Sequence, residues 1–143
     1  MDDRLHPVAG TPFDFQSPED VGRRMAAVGS TPPGYDNCYA LDMASPRWPV
    51  GASASVCAVP AIAYAGTLRH AGSGRAMLVH TTKPGVQLYT ANYLGGPAPF
   101  SRHSALCLET QYFPDSPNVA SWPSPVLRPG VVYKHVSVHS FSW

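Results

Sequence analysis

Proline recurs so densely along this chain that long helices cannot form. There are 16 prolines among 143 residues, about twice the usual share. Each removes a backbone donor and crowds the preceding turn of a helix. Twelve glycines add further breaks. One stretch, "SPEDVGRRMAAV" (residues 17–28), still predicts a helix of one or two turns. Ser17 can cap it, Pro18 suits its first turn, and Glu19 and Asp20 favour the positive end of the helix dipole. Gly22 weakens it.

The remainder predicts short strands between turns. They are "CYALDM" after the turn "TPPGYD", "AIAYAGTLRH", "RAMLVHTT", "VQLYTANYL" after Pro84-Gly85, "ALCLETQYF" and "VVYKHVSVHSFSW". The second and third are expected to form a hairpin across Gly72-Ser73-Gly74. In the last, Val132, Lys134, Val136 and Val138 alternate with Tyr133, His135, Ser137 and His139. Both faces are mixed, so cover on both sides is expected. Strands at this spacing predict an all-β fold, an antiparallel β-sandwich whose open edges need protection. Length and the absence of repeats predict one domain over residues 1–143, with the small-residue stretch within 45–59 as an insertion loop.

Charge narrows the class of partner. Ten basic and nine acidic residues give a net charge of +1 with no basic run, so neither nucleic acid nor anionic lipid is expected. Charged residues make up 13%, about half the usual share. So little charge leaves part of the surface to be buried against a protein partner. Cys38, Cys57 and Cys107 form no metal-spaced cluster. They predict reduced thiols inside a cell, with Cys38 and Cys107 as small strand hydrophobes. The opening "MDDRLHPVAG", acidic and then mixed, is not expected to act as a signal peptide, and no apolar run is long enough to span a membrane. The expected compartment is the cytoplasm.

Three polar residues within or beside strands stand out. Glu109 follows Leu106, Cys107 and Leu108. Alternation puts it on a face with Cys107 and Gln111, opposite Leu106, Leu108 and Thr110. Partial burial there would make it a general base near neutral pH; an exposed or arginine-paired glutamate is the other reading. Asp36 sits at a turn-to-strand junction, where it either caps the turn or meets a ligand. Gln87 offers a neutral donor and acceptor suited to sugar hydroxyls, or to water on a solvent face. The six histidines show no metal-binding spacing, and neither a nucleophile elbow nor a phosphate loop is present.

Taken together, "PVAGTPFDF", "GYDNCYAL", "SGRAMLVHTTKPGVQLYTANYLGG", "HSALCLETQYFPDSPN" and "SPVLRPGVVYKH" resemble the galactose mutarotase (aldose 1-epimerase) family. They follow the family's order and cover nearly the whole chain. The resemblance implies part of a large antiparallel supersandwich, its carboxy-terminal half. It implies interconversion of the α and β anomers of an aldose such as galactose or glucose, with no metal or organic cofactor. By motif, the glutamate of "CLETQ", Glu109, is the base. The aspartate of "GYD", Asp36, and the glutamine of "PGVQ", Gln87, bind the sugar. The family's acid histidine lies in its amino-terminal half, and none of the six histidines here sits in a matching motif. Where the family usually continues "GYD" with histidine, this chain has Asn37. Two expectations follow: an epimerase completed by an amino-terminal half, or a non-catalytic subunit of a larger assembly.

Overall fold

The computed structural model describes residues 4–44 and 62–143. The expected insertion loop at 45–59 lies outside the described residues. Among them, six strands carry the fold: β1 (Asp36–Ala40), β2 (Ala63–Arg69), β3 (Ala76–Thr81), β4 (Gly85–Tyr89), β5 (Cys107–Gln111) and β6 (Ser137–Ser142). They form two three-stranded sheets, ordered β1-β4-β5 and β2-β3-β6. The chain is all-β, as the proline density demands. It divides into two compact units, neither continuous in sequence: Met1–Cys38 with Gln87–Glu109, and Tyr39–Val86 with Thr110–Trp143.

In the second unit, β2 and β3 form the expected antiparallel hairpin, with Ala63 opposite Thr81 and Arg69 opposite Ala76. A bulge between Tyr64 and Gly66 adds one residue to β2, which bends the strand and increases its twist. The turn is closed by the His70 N–H to the Arg75 carbonyl at 2.9 Å. His70 Nδ1 also lies 2.8 Å from Ser73 Oγ. β6 flanks β3 antiparallel, from Ala76 opposite Ser142 to Thr81 opposite Ser137. Ala63, Val79, His80 and Thr81 are buried, so β3 is the central strand in both order and burial.

Several elements are shorter than their sequence patterns predict, β6 and the helix among them. Residues 131–136 are not strand; β6 starts at Ser137. Beyond Thr81 the ladder gives way to a side-chain clasp. The Thr82 N–H donates to the Val136 carbonyl at 3.0 Å, but the Val136 N–H donates to Thr82 Oγ1 at 3.1 Å. A hydroxyl thus replaces a backbone carbonyl, and regular pairing stops there. The helix is also displaced. It is a 3₁₀ helix over Val21–Val28, capped by Asp20, whose carboxylate accepts from the Gly22 N–H, and ended by Gly29 at φ 79°. Asp20 outcompetes Ser17 as cap. Glu19 instead pairs with Arg23 at 3.5 Å and faces Arg24 at 3.9 Å.

The first unit is organised around Tyr35, which is fully buried. Phe13 and Phe15 meet its ring edge-on at centroid distances of 6.1 and 5.2 Å. Its hydroxyl donates to the Pro12 carbonyl at 2.9 Å. Burial pushes the Tyr35 phenol above its ordinary range, with Arg24 opposing and Glu19 adding to the shift.

Candidate functional site

β1 and β4 place the first two candidate residues. The Thr90 N–H donates to the Tyr35 carbonyl at 3.1 Å, and the Leu41 N–H to the Pro84 carbonyl at 2.8 Å. These bonds run the strands antiparallel and put Tyr89 across from Asp36. Tyr35, Val86 and Leu88 are buried, so alternation turns Asp36, Gln87 and Tyr89 to the opposite face. There Gln87 Nε2 donates to Asp36 Oδ1 at 2.8 Å. β5, which carries Glu109, flanks β4 on its other side.

Glu109 and Cys107 are exposed, whereas Leu108 and Thr110 are half-buried. The predicted alternation of β5 therefore holds. Of the two settings left open for Glu109, exposure holds and partial burial does not, and Cys107 is an exposed thiol rather than the packed hydrophobe expected. In so short a strand, Leu106 and Leu108 face the packing side and leave the other side open to solvent. Asp36 is the first residue of β1, and its own N–H donates to the Asn37 side-chain oxygen at 3.1 Å. Three candidate residues thus occupy three neighbouring strands of one sheet, and a direct hydrogen bond joins two of them.

The backbone that leads into Asp36 is held unusually firmly. The Tyr35 N–H donates to Thr90 Oγ1 at 2.9 Å. Thr90 Oγ1 donates in turn to Asn92 Oδ1 at 2.6 Å. Asn92 Nδ2 donates to the Tyr35 carbonyl at 2.9 Å. The peptide groups on both sides of Tyr35 are thereby satisfied in the interior, where an unmade hydrogen bond would be costly. Gly34 lies at φ 142°, and a Cβ there would overlap the Asn92 side-chain oxygen and come within 2.8 Å of Thr90 Oγ1. The glycine of "GYD" is therefore required for the close approach of this backbone to Asn92. β4 and the turn after it thus supply both the amide on the Asp36 carboxylate and the grip on the residue before it.

Beyond β4 the chain turns at Ala91, whose φ is 53°. His103 Nδ1 lies 2.8 Å from the Thr90 carbonyl; because a carbonyl can only accept, the Nδ1 position carries the proton. The turn brings Tyr93 back onto Tyr89. Their rings stack at 6.4 Å and 13°, and the Tyr93 N–H donates to the Tyr89 hydroxyl at 3.1 Å. Neither Thr90, Asn92 nor this ring pair was legible as part of a site. "YTANY" shows only two aromatics four residues apart, and the positive φ at Ala91 that joins them is not a glycine signal.

A separate polar cluster occupies the second unit. Lys83 is only 8% exposed, and its ammonium lies 4.0 Å from the Tyr112 ring centre and 4.8 Å from that of Tyr133. Such cation–π contacts compensate part of the lost hydration. His135 Nδ1 lies 3.0 Å from Thr82 Oγ1, and its Nε2 lies 3.2 Å from Ser137 Oγ. Burial, with the Lys83 charge adding to it, holds the His135 imidazole below its ordinary range. Among the described residues, no three His, Cys, Asp or Glu side chains come together to hold a metal ion. No helix there is long and apolar enough to cross a membrane.

Comparison with known proteins gives these arrangements a lineage. A sequence model of the aldose 1-epimerase family matches residues 1–140. The chain is 37% identical over 144 residues to galactose mutarotase of Mus musculus, an alignment covering 96% of this chain and 37% of that protein. It is 34% identical to galactose mutarotase of Homo sapiens, covering 95% of this chain and 36% of the relative. It is 31% identical to aldose 1-epimerase of Escherichia coli K12, covering 97% and 39%. The chain thus spans well under half the length of the curated relatives it matches. With nearly every residue inside the matched region, the chain belongs to the aldose 1-epimerase family.

Proposed function

We propose that this chain supplies the base and part of the sugar-binding wall of an aldose 1-epimerase. The hydrogen-bonded pair of Asp36 and Gln87, on strands adjoining one another in the sheet that carries Glu109, supports the reading most strongly. Gln87 holds one carboxylate oxygen of Asp36, which orients the group to accept from sugar hydroxyls, and the grip on Tyr35 fixes the strand behind it. Glu109, open to solvent, takes the proton from the anomeric hydroxyl of an aldose such as galactose or glucose. Electrons from that oxygen form the open-chain carbonyl as the bond from the anomeric carbon to the ring oxygen breaks. The ring oxygen must be protonated as it leaves, and a histidine from polypeptide beyond this chain supplies that proton. Rotation about the adjacent carbon–carbon bond and reclosure give the other anomer. The compartment we propose is the cytoplasm, which the free thiols of Cys38 and Cys107 fit.

Polarimetry tests the reading. Fresh α-galactose is followed with this chain alone, with an amino-terminal segment of a mutarotase relative, and with both. The expected result is acceleration only in the mixture, lost in Glu109→Gln. An inactive mixture, or a mixture indifferent to Glu109→Gln, would overturn it.

A second reading draws on a different observation. Val126, Leu127, Val131, Tyr133 and Phe141 are all more than half exposed, and Val132 is 87% exposed. Apolar side chains so concentrated over residues 126–141 favour a protein partner, and that partner can make the chain a structural subunit without turnover.

A further inference from the structure

In the second unit, β6 ends the sheet β2-β3-β6 and leaves its outer edge open among the described residues. Backbone groups alternate in direction along a strand, so the phase of the ladder shows which of them face outward. The His70 N–H meets the Arg75 carbonyl, and the Thr82 N–H meets the Val136 carbonyl. Carried along the two registers, these bonds turn the odd-numbered residues of β3 toward β2 and its even-numbered residues toward β6. Val138, Ser140 and Ser142 therefore bond to β3, and the N–H and C=O groups of Ser137, His139 and Phe141 point to the open edge. His139 is exposed, and Phe141 is 65% and Trp143 92% exposed. Open edges are usually guarded by charge, proline or a bulge. β1 carries Asp36, β5 carries Glu109, and β2 carries Arg69 and the bulge between Tyr64 and Gly66. Residues 135–143, "HVSVHSFSW", hold no Lys, Arg, Asp, Glu or Pro, and β6 pairs with β3 without a break in register.

We propose that β6 is an interface strand, pairing antiparallel with β6 of a second copy of this chain about a two-fold axis at His139. Such an axis, normal to the sheet, reverses strand direction and keeps each face on its own side. Outward-pointing residues then meet outward-pointing residues. His139 lies opposite His139 of the second copy, and Ser137 lies opposite Phe141. Each opposed pair exchanges both backbone bonds, and the pairing runs the whole length of the strand. Phe141 also lies diagonally across from His139 of the second copy, within reach of an aromatic side chain. The two β2-β3-β6 sheets become one continuous sheet, a strand addition held chiefly by main-chain bonds. Identical uncharged edges satisfy one another without a charged partner, so the sequence of β6 favours a second copy over an unrelated protein. The contact does not depend on the sugar-site reading.

The test is sedimentation and native mass measurement of the purified chain over a concentration series, with amide hydrogen exchange along β6. A dimer is expected to form as concentration rises. Exchange at Ser137, His139 and Phe141 should slow with concentration, while Val138, Ser140 and Ser142 stay protected throughout. His139→Lys and His139→Glu each put like charges opposite one another at the axis, and each should weaken the dimer about tenfold or more. An equal mixture of the two variants should restore it as a mixed dimer. Circular dichroism checks that each variant folds, and the exchange pattern of the wild type decides the question if one does not. A wild-type chain that stays monomeric at the highest concentration reached overturns the pairing. So does a dimer that both His139 variants leave intact. A dimer lost only in Val132→Asp would place the contact on the apolar side chains instead. If the outward amides are protected only by the amino-terminal segment of a mutarotase relative, the edge belongs to that segment and not to a second copy.

Discussion

Gly34 shows how much a single residue can hold in place. At φ 142° it sits where a side chain is strained, and a Cβ would displace the Asn92 oxygen that receives the Thr90 hydroxyl. Gly34→Ala is expected to cost about 2–4 kcal/mol from backbone strain and the broken buried hydrogen bonds together. Urea denaturation of the variant checks it; an unchanged midpoint would show that Asn92 can move aside. Glu109→Gln belongs to the same scale with the opposite signature. The residue is exposed, so its stability should stay within about 0.5 kcal/mol of wild type. Epimerisation by the completed protein should fall about 10²–10⁴-fold, as measured by polarimetry. A large loss of stability would mean that Glu109 supports the fold. From the strand pattern alone, an exposed or ion-paired glutamate outweighed a base at Glu109. The base reading rests on the resemblance of the surrounding "CLETQ" to the family's motif, because alternation reports which way a side chain faces and not what it meets.

At the scale of elements, most of the strands were legible and their ends were not. The hairpin of β2 and β3 followed from two strand-like runs about a Gly-Ser-Gly turn. β6 did not, because the alternation of residues 131–143 continues past the point where pairing stops. What stops it is the Thr82 hydroxyl accepting from the Val136 N–H, a side-chain event that no periodicity records. Similarly, the order β1-β4-β5, which brings Asp36 and Gln87 together across 51 positions, depends on long-range pairing that local pattern does not contain. The clasp between Thr82 and residues 135–137 should depend on pH. His135 is held below its ordinary range, so the unfolded chain binds the proton more readily. The stabilisation is therefore fully present above the unfolded value of about 6.5 and is lost as pH falls toward the folded value. The melting temperature should drop between pH 8 and pH 5, and His135→Gln should flatten the drop. An identical pH profile in the variant would remove His135 as the cause.

At the scale of the molecule, the exposed apolar side chains along residues 126–141 are where the proposed partner would dock. Mixing the chain with the amino-terminal segment of a mutarotase relative should give a one-to-one complex by native mass measurement. Val132→Asp should weaken it about tenfold or more, since a charge at a buried interface costs a lot unless paired. A chain that remains a monomer in that mixture would count against such a partner. The low charge content favours a covered surface too, without giving its location, since composition carries no coordinates. The lysines offer a different use of the same molecule. There are only two, Lys83 and Lys134, and the structure treats them oppositely: Lys134 is exposed, while Lys83 lies between the rings of Tyr112 and Tyr133. An acylating reagent should therefore modify Lys134 at once and reach Lys83 only when those rings part. The ratio of the two labels becomes a built-in clock for the opening of the second unit, with its own reference residue in every molecule.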